Sequence, residues 1–166
     1  MARACATLAA ILACTLLLST GTVAGAAPGL PAAKNLAADG AVARTRSVPI
    51  LLFFNRFDCP YCERALREFL VPMERDPAFA ARVIFRQIEI DKPLGTVDFD
   101  GRATTHRDLA ARFDIRFTPT IWLVDAEGKA LAEPIVGLRT VDFYAWYLEQ
   151  AIAESQAKLD LLGVRK

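Results

Sequence analysis

Four short segments of the chain have the composition of buried or half-buried β-strands. Residues 49–54 form a continuous apolar run, which is typical of a strand that is covered on both faces. Residues 83–90 and 120–124 are rich in β-branched and aromatic side chains, and a further segment at 130–136 follows after a turn at 125–129. Because that turn is short, it predicts that the last two strands form an antiparallel hairpin.

Three segments between and after these strands show the three- and four-residue spacing of amphipathic helices. The first follows strand 49–54 and is expected to end at 72–76, the second to be capped by Thr104 or Thr105, and the last to run to about Lys158. The apolar positions that carry this spacing are Ala65, Leu66, Phe69 and Leu70, then Leu109, Ala110 and Phe113, and finally Val141, Tyr144, Ala145, Leu148 and Ile152.

The order of these elements, β-α-β-α-β-β-α, indicates the α/β class with a mixed sheet of four to five strands flanked by helices. Helical crossovers imply parallel pairing, and the single tight turn implies an antiparallel edge. We expect the domain to span 48–158, after a flexible segment at 27–47 with a short helix at 34–43. Residues 91–102, which contain a proline and two glycines, read as a loop insertion, and 159–166 as a C-terminal tail.

The first 26 residues have the layout of an export signal. Arg3 is their only charged residue, an apolar or small run covers 4–18, and the small residues 24–26 suit a signal peptidase. A transmembrane span needs about 20 strongly apolar residues, and the polar or small residues at 19–22 interrupt the run too early. We therefore expect a cleaved signal peptide and an exported, periplasmic protein; the alternative is an uncleaved membrane anchor.

Loss of the signal changes both the charge and the cysteine content. The full chain has 20 Lys and Arg against 19 Asp and Glu, so removal of Arg3 leaves a mature formal charge of zero. A neutral chain has no electrostatic attraction for nucleic acid, and we expect no nucleic-acid partner. Cys5 and Cys14 leave with the signal, so that Cys59 and Cys62 are the only cysteines of the mature chain.

The sequence Cys59-Pro60-Tyr61-Cys62 stands where the first buried strand passes into the first helix. Proline at the first helical position costs no hydrogen bond, so Pro60 starts the helix at Cys59. The Cys59 sulfur then faces the unpaired N–H groups and the positive end of the helix dipole, which favour a thiolate. Cys62 lies one turn further on the same face, close enough to form a disulfide with Cys59.

A cysteine pair can also serve as a stabilising cross-link or as part of a metal site. A stabilising cross-link is disfavoured, because closing a four-residue loop is worth only about 2 kcal/mol in the chain-entropy model. A metal site would need further ligands, and His106 and Met73 are the only His and Met of the mature chain. We expect His106 on an exposed polar face of the second helix. The pattern therefore favours redox chemistry that needs no cofactor, and a metal-binding module that uses both sulfurs and His106 stays as an alternative.

A strand that ends in Cys-x-x-Cys, with Thr118-Pro119-Thr120 leading into a later strand, resembles the thioredoxin superfamily. The resemblance implies a thioredoxin fold and a cis-proline at Pro119 beside the cysteines. It also implies that Cys59 and Cys62 are catalytic, and that the backbone of Thr118 pairs with a substrate peptide. The expected substrate-binding residues are Pro60, Tyr61, Thr118 and Pro119.

Within the superfamily the chain is similar to exported SoxW-type and other bacterial thioredoxin-like proteins over about 48–152, on the motifs at 57–62, 97–101 and 114–120. That likeness implies a periplasmic, monomeric reductase of protein disulfides, recharged by a membrane electron donor of the DsbD or CcdA type. A thiol oxidase or isomerase is the alternative.

The chain departs from thioredoxins proper in the strand before the cysteines. Phe53 stands where those proteins carry a buried aspartate, the usual proton acceptor for the second cysteine. Glu89, Asp91 or water would have to take its place.

Overall fold

A four-stranded mixed sheet forms the centre of the protein in the computed structural model, which describes residues 29–163. Its order is β2-β1-β5-β6, and β3 pairs with β4 in a separate two-stranded sheet. The strands are β1 Ile50–Asn55, β2 Ile84–Glu89, β3 Gly95–Val97, β4 Ala103–Thr105, β5 Thr120–Val124 and β6 Ile135–Val136. β1 is parallel to β2 and antiparallel to β5, and β5 is antiparallel to β6. The predicted α/β class, mixed sheet and antiparallel edge are confirmed.

Within residues 29–163, six α-helices surround the sheet. They are α1 Leu36–Arg46, α2 Pro60–Ala65, α3 Val71–Arg75, α4 Pro77–Ala80, α5 His106–Arg112 and α6 Val141–Leu161. A π-helical turn, Leu66–Leu70, joins α2 to α3 without a break, so that helical backbone runs from Pro60 to Arg75. In this turn the Val71 N–H donates to the Leu66 carbonyl, five residues back. The wider turn comes directly before Pro72, whose ring and missing N–H do not fit a regular α-helical turn.

The helices form two layers, one on each face of the sheet. Leu51 and Phe53 point to the layer of α2, α3 and α6, whereas Ile50, Leu52 and Phe54 point to the layer of α1 and α5. Because every residue of β1 is buried, the strand is covered on both faces, as its continuous apolar run predicts. The first layer also contains Cys59 and Cys62.

The N-terminal segment packs against the sheet, and the expectation of a flexible start at 27–47 is wrong over the described part. The Ala33 N–H donates to the Gln87 carbonyl and the Gln87 N–H donates to the Pro31 carbonyl, so the segment covers the outer edge of β2. Asn35 caps α1 by accepting the Ala38 N–H. Leu36 is fully buried. A covered edge strand is protected from pairing with other chains.

The segment 91–102 is also more ordered than the expected loop insertion. β3 and β4 pair across it as an antiparallel hairpin. The Asp98 side chain closes the turn by accepting the N–H groups of Asp100 and Arg102, and its second oxygen accepts from the Arg112 guanidinium. The Asp98 carboxylate is buried. Because one of its partners, Arg112, lies 14 residues further along the chain, the spacing of residues within 91–102 does not predict this hairpin.

The two C-terminal elements differ in length from their predictions. The strand expected at 130–136 is reduced to β6, with one isolated bridge between Val124 and Ala130. The last helix runs beyond the expected Lys158 to Leu161, and Leu159 is buried, at 2% exposure. The tail expected at 159–166 therefore begins later, because Leu159 continues the apolar face of α6.

The expected signal peptide at 1–26 lies outside the described residues. Within 29–163, no helix has both the length and the apolar composition that a membrane crossing requires.

Candidate active site

Cys59 and Cys62 are joined by a disulfide at the carboxyl end of β1. Their sulfurs are 2.10 Å apart and their Cα atoms 5.2 Å apart. Cys62 is 1% exposed and Cys59 is 6% exposed, so the pair is sunk into the first layer with Cys59 nearer to solvent. The expectation that the spacing brings the two sulfurs within bonding distance is confirmed.

Cys59 is the residue that caps α2. Its backbone is extended, with φ at −121°, and its carbonyl accepts the N–H groups of Cys62 and Glu63. The Cys59 Sγ accepts the Cys62 N–H over 3.2 Å, and Pro60 occupies the first helical position. The predicted start of the helix at Cys59 is confirmed. In the reduced protein the same N–H and the positive end of the helix would face the thiolate.

The loop before β5 approaches the disulfide from the other side. Phe54 and Thr120 are register partners in β1 and β5, so the residues before Thr120 lie near those that follow β1. The Thr118–Pro119 peptide bond is cis, as the resemblance implies. The Thr118 hydroxyl donates a hydrogen bond to the Cys59 Sγ over 3.7 Å. The Pro119 carbonyl accepts the Gly137 N–H, which ties this loop to the residue after β6.

Three exposed aromatic side chains come from the segments that carry the site, two from its loops and one from the first turn of α2. Phe57 is 76% exposed, Tyr61 64% and Phe117 69%. Tyr61 is among the substrate-binding residues expected from the sequence, whereas no role is predicted for Phe57 and Phe117. Their positions in the sequence could have indicated a role, since Phe57 lies in the loop before Cys59 and Phe117 lies directly before Thr118. Exposed aromatic side chains can bind the apolar side chains of another polypeptide.

A cleft of about 550 Å³, lined by both apolar and polar residues, opens beside Cys62. Its floor is the end of the sheet, where the Asn55 Oδ1 accepts from the Gln87 side chain, and its outer wall includes Leu30, whose N–H donates to the Gln87 Oε1. Glu89 lies at the same end of β2 and lines the cleft. Deeper on this face lies the fully buried side chain of Phe53. Because a phenylalanine has no ionisable group, this position cannot accept a proton from Cys62.

Of the two carboxylates expected as proton acceptors, only Glu89 lines this cleft. Glu89 forms an ion pair with Lys92, and the hydrogen bond and negative charge of Glu89 raise the pKa of Lys92 above its ordinary value. The Asp91 carboxylate accepts the backbone N–H of Phe57 and so holds the loop before Cys59.

His106 is buried, and the expectation of an exposed position is wrong. It is 2% exposed, its Nδ1 accepts the Glu89 N–H over 3.0 Å and its Nε2 lies 3.1 Å from the Ala33 carbonyl. Thr105 caps α5, and His106, as the first residue of that helix, is covered by the N-terminal segment. With both ring nitrogens occupied, His106 cannot complete a metal site with the two sulfurs. Across residues 29–163 no group of three or more His, Cys, Asp or Glu side chains could hold a metal ion.

Comparisons with known proteins agree with this architecture. A family model described as a thioredoxin-like domain matches residues 18–152. Thioredoxin 3 from the mitochondria of Saccharomyces cerevisiae, in its oxidised form, superposes with a TM-score of 0.51 at 17% identity, over 75% of this chain and 94% of that chain. Thioredoxin from Fasciola hepatica superposes with a TM-score of 0.53 at 13% identity, over 76% of this chain and 99% of that chain. At such identities the likeness establishes the fold. No curated protein sequence matches the chain.

Proposed function

This chain belongs to the thioredoxin-like domain family, and from that premise we propose that it is a thiol:disulfide oxidoreductase that exchanges electrons with protein disulfides through Cys59 and Cys62. The observation that carries the proposal is the cysteine pair itself. Two cysteines form a disulfide at the start of a helix, and the more exposed sulfur caps that helix. This is the environment that lowers a thiol pKa and makes a cysteine a nucleophile.

The proposed reaction starts from the reduced pair. The Cys59 thiolate attacks one sulfur of a partner disulfide, the partner S–S bond breaks, and the other partner sulfur leaves as a thiolate. Cys62 then attacks the Cys59 sulfur of the mixed disulfide and releases the partner as a dithiol. The protein is left oxidised, in the Cys59–Cys62 state that the structure shows. Cys59 is assigned the first attack because it is the more exposed and caps the helix.

The exposed aromatic residues Phe57, Tyr61 and Phe117 support a protein as the substrate. The backbone of Thr118, next to the Cys59 sulfur, is proposed to pair with the extended partner segment, as in β-strand addition. Pro60 is exposed beside Cys59 and is proposed to contact the same partner, whereas Pro119 is buried.

We propose that the protein acts as a reductase in the periplasm, recharged by a membrane electron donor of the DsbD or CcdA type. The export pattern of residues 1–26 and the resemblance to SoxW-type proteins support this assignment. The direction of electron flow depends on the reduction potential of the pair against that of its compartment. A potential below about −230 mV supports a reductase, and one above about −180 mV supports an oxidase or isomerase instead.

The function is tested by insulin reduction and by trapping with cysteine variants of the mature chain. We expect the wild type to catalyse reduction of insulin disulfides, Cys59→Ser to be inactive, and Cys62→Ala to hold partner proteins in a mixed disulfide that dithiothreitol releases. Because Cys62 is the only other thiol of the mature chain and is assigned the second step, catalysis by Cys59→Ser would overturn the proposal.

Export is tested separately, by N-terminal sequencing of the protein recovered from its native host. The proposal predicts a mature chain that begins at Ala27. An intact leader in the membrane fraction would support the uncleaved anchor.

A further inference from the structure

Cys62 must lose a proton before it can resolve the mixed disulfide, and the face of the sheet beneath it offers no carboxylate at Phe53. We propose that Glu89, at the end of β2, is the proton acceptor for Cys62 and receives the proton through solvent in the cleft that both residues line. The inference rests on the proposed function and assigns one further residue to its second step.

The geometry follows from the strand register. Phe53 pairs with Gln87 and Asn55 pairs with Glu89 on the parallel strands β1 and β2. Side chains alternate along a strand, so Gln87 and Glu89 lie on the same face as Phe85, which belongs to the layer of Cys62. Along this face the side chains change from apolar to polar at the carboxyl end of the sheet. The cleft lies at that end of the sheet, and Cys62 lines it together with Asn55, Gln87 and Glu89.

The cleft can carry a proton between the two groups. Its volume of about 550 Å³ is many times the roughly 30 Å³ that one water occupies in the liquid. The amide side chains of Asn55 and Gln87 at its floor provide polar partners that a bridging water requires. Cys62 is only 1% exposed, so a water in the cleft provides the route by which its proton reaches a base.

Three carboxylates line the cleft, and Glu89 is the one set into its wall. Asp58 and Glu63 are exposed, whereas the Glu89 side chain is 25% exposed. Its backbone is fixed, since the Glu89 N–H donates to the buried His106 ring. The neighbouring Asp91 is outside the cleft and is bound to the Phe57 N–H. Glu89 also forms an ion pair with Lys92, whose side chain is more exposed than that of Glu89.

The resolving step moves one proton from Cys62 to Glu89 and replaces one S–S bond by another. The Cys62 thiol gives a proton to water, and that water passes a proton to the Glu89 carboxylate. The Cys62 sulfur forms a bond to the Cys59 sulfur with the electron pair left by the proton. The bond between Cys59 and the partner breaks, and the partner sulfur leaves as a thiolate. Glu89 then returns its proton to solvent through the open side of the cleft.

The test separates the two steps of the reaction as a function of pH. Reduced protein is mixed rapidly with a peptide that contains one intramolecular disulfide, samples are quenched in acid, and the mixed disulfide is quantified against time. Glu89→Gln removes the carboxylate and keeps the shape of the side chain. Lys92→Gln is the matched control, because it breaks the same ion pair and keeps the carboxylate.

We expect Glu89→Gln to leave the first attack unchanged and to slow resolution at neutral pH by roughly 100-fold, the lower end of what a general base contributes. In the wild type and in Lys92→Gln, the resolution rate should change little across the neutral pH range, because the carboxylate is present throughout. In Glu89→Gln it should rise about tenfold per pH unit toward the ordinary cysteine pKa of about 8.5, because ionisation of the thiol then has to come first.

Unchanged resolution and an unchanged pH profile in Glu89→Gln would overturn the role of Glu89 and leave the oxidoreductase proposal standing. Equal slowing of resolution in Glu89→Gln and Lys92→Gln, with a flat pH profile in both, would give the ion pair a structural role. That result would also overturn the role of Glu89 as proton acceptor. If the disulfide peptide neither forms a mixed disulfide with the wild type nor oxidises its cysteine pair, the proposed function itself fails.

Discussion

The Thr118 hydroxyl donates a hydrogen bond to the Cys59 Sγ over 3.7 Å and so joins two loops that lie 59 residues apart in the sequence. In the reduced protein this donor would favour the thiolate over the thiol. Thr118→Val keeps the size of the side chain and removes the donor. A hydrogen bond of about 1 kcal/mol corresponds to roughly a fivefold change, so we expect the first attack at neutral pH to slow by about that factor.

Rapid-mixing kinetics with a disulfide peptide measures this rate directly. Thr118→Ser, which retains the hydroxyl, should restore the wild-type rate. Equal rates for Thr118→Val and the wild type would mean that the hydroxyl has no part in activating Cys59.

His106 links three elements, since it bonds the Glu89 N–H and the Ala33 carbonyl from the start of α5. His106→Leu leaves both backbone groups without their partner in a buried site. At about 1–3 kcal/mol for each of the two unsatisfied groups, we expect the free energy of unfolding to fall by about 2–6 kcal/mol. Urea denaturation followed by circular dichroism provides the measurement.

The neighbouring Arg107→Ala is the control for this experiment, because Arg107 forms only an exposed hydrogen bond to the Asp91 carbonyl. Its effect should stay within about 0.5 kcal/mol. A loss for His106→Leu no larger than that of the control would show that these two bonds do not stabilise the fold.

Local sequence patterns predict many of the strands and helices of this fold. The apolar run at 49–54 and the helical spacing of α6 predict their elements, because each buries a continuous apolar surface along its own length. The hairpin β3–β4 and the order of the N-terminal segment depend on partners far away in the chain. Asn35 bridges to Val97 and Ala32 bridges to Gln87, and such pairings leave no periodicity within either segment.

The same division applies to the candidate site. The spacing of Cys59 and Cys62 and the proline between them predict a helix-capping disulfide, since three residues and one turn of helix determine it. The cis bond at Pro119 was implied by the family resemblance rather than by residue spacing. The burial of His106 escaped prediction because a single histidine at a helix start carries no signal of what packs over it.

Tyr144 is 1% exposed, and among the described residues its hydroxyl is the one buried side-chain polar atom without a hydrogen-bond partner. Burial also raises the pKa of this phenol well above its usual range. Tyr144→Phe removes a polar group that loses its hydration on folding and gains no partner. We expect it to increase the free energy of unfolding by about 1 kcal/mol.

Thermal or urea denaturation of the oxidised protein measures this change. Tyr147→Phe, on the same helix with an exposed ring, should be neutral. A destabilised Tyr144→Phe would mean that the hydroxyl has a partner in solution.

Asp98 holds the β3–β4 turn and responds to acid. The Arg102 N–H, followed by the Arg112 side chain, holds the pKa of this carboxyl below its ordinary value. A pKa that is lower in the folded than in the unfolded protein gives stability that is complete above the unfolded value, about 3.9, and is lost as the pH falls through the folded value. The cost of Asp98→Asn should therefore be largest near neutral pH and shrink in acid.

This prediction is checked by the unfolding free energies of Asp98→Asn and the wild type from neutral pH down to acid. Asp100→Asn provides a comparison at an exposed carboxyl of the same turn. A pH-independent difference between Asp98→Asn and the wild type would contradict the assignment of acid sensitivity to Asp98.

The account as a whole depends on an ionised Cys59 at the start of α2, and one titration tests it. In the mature Cys62→Ala variant Cys59 is the only thiol, so the ultraviolet absorbance of the thiolate against pH reports its pKa alone. We predict a value clearly below the roughly 8.5 of an unperturbed cysteine. A value at or above that of the unperturbed thiol would contradict the account, because Cys59 would then lack the nucleophile on which the proposed exchange depends.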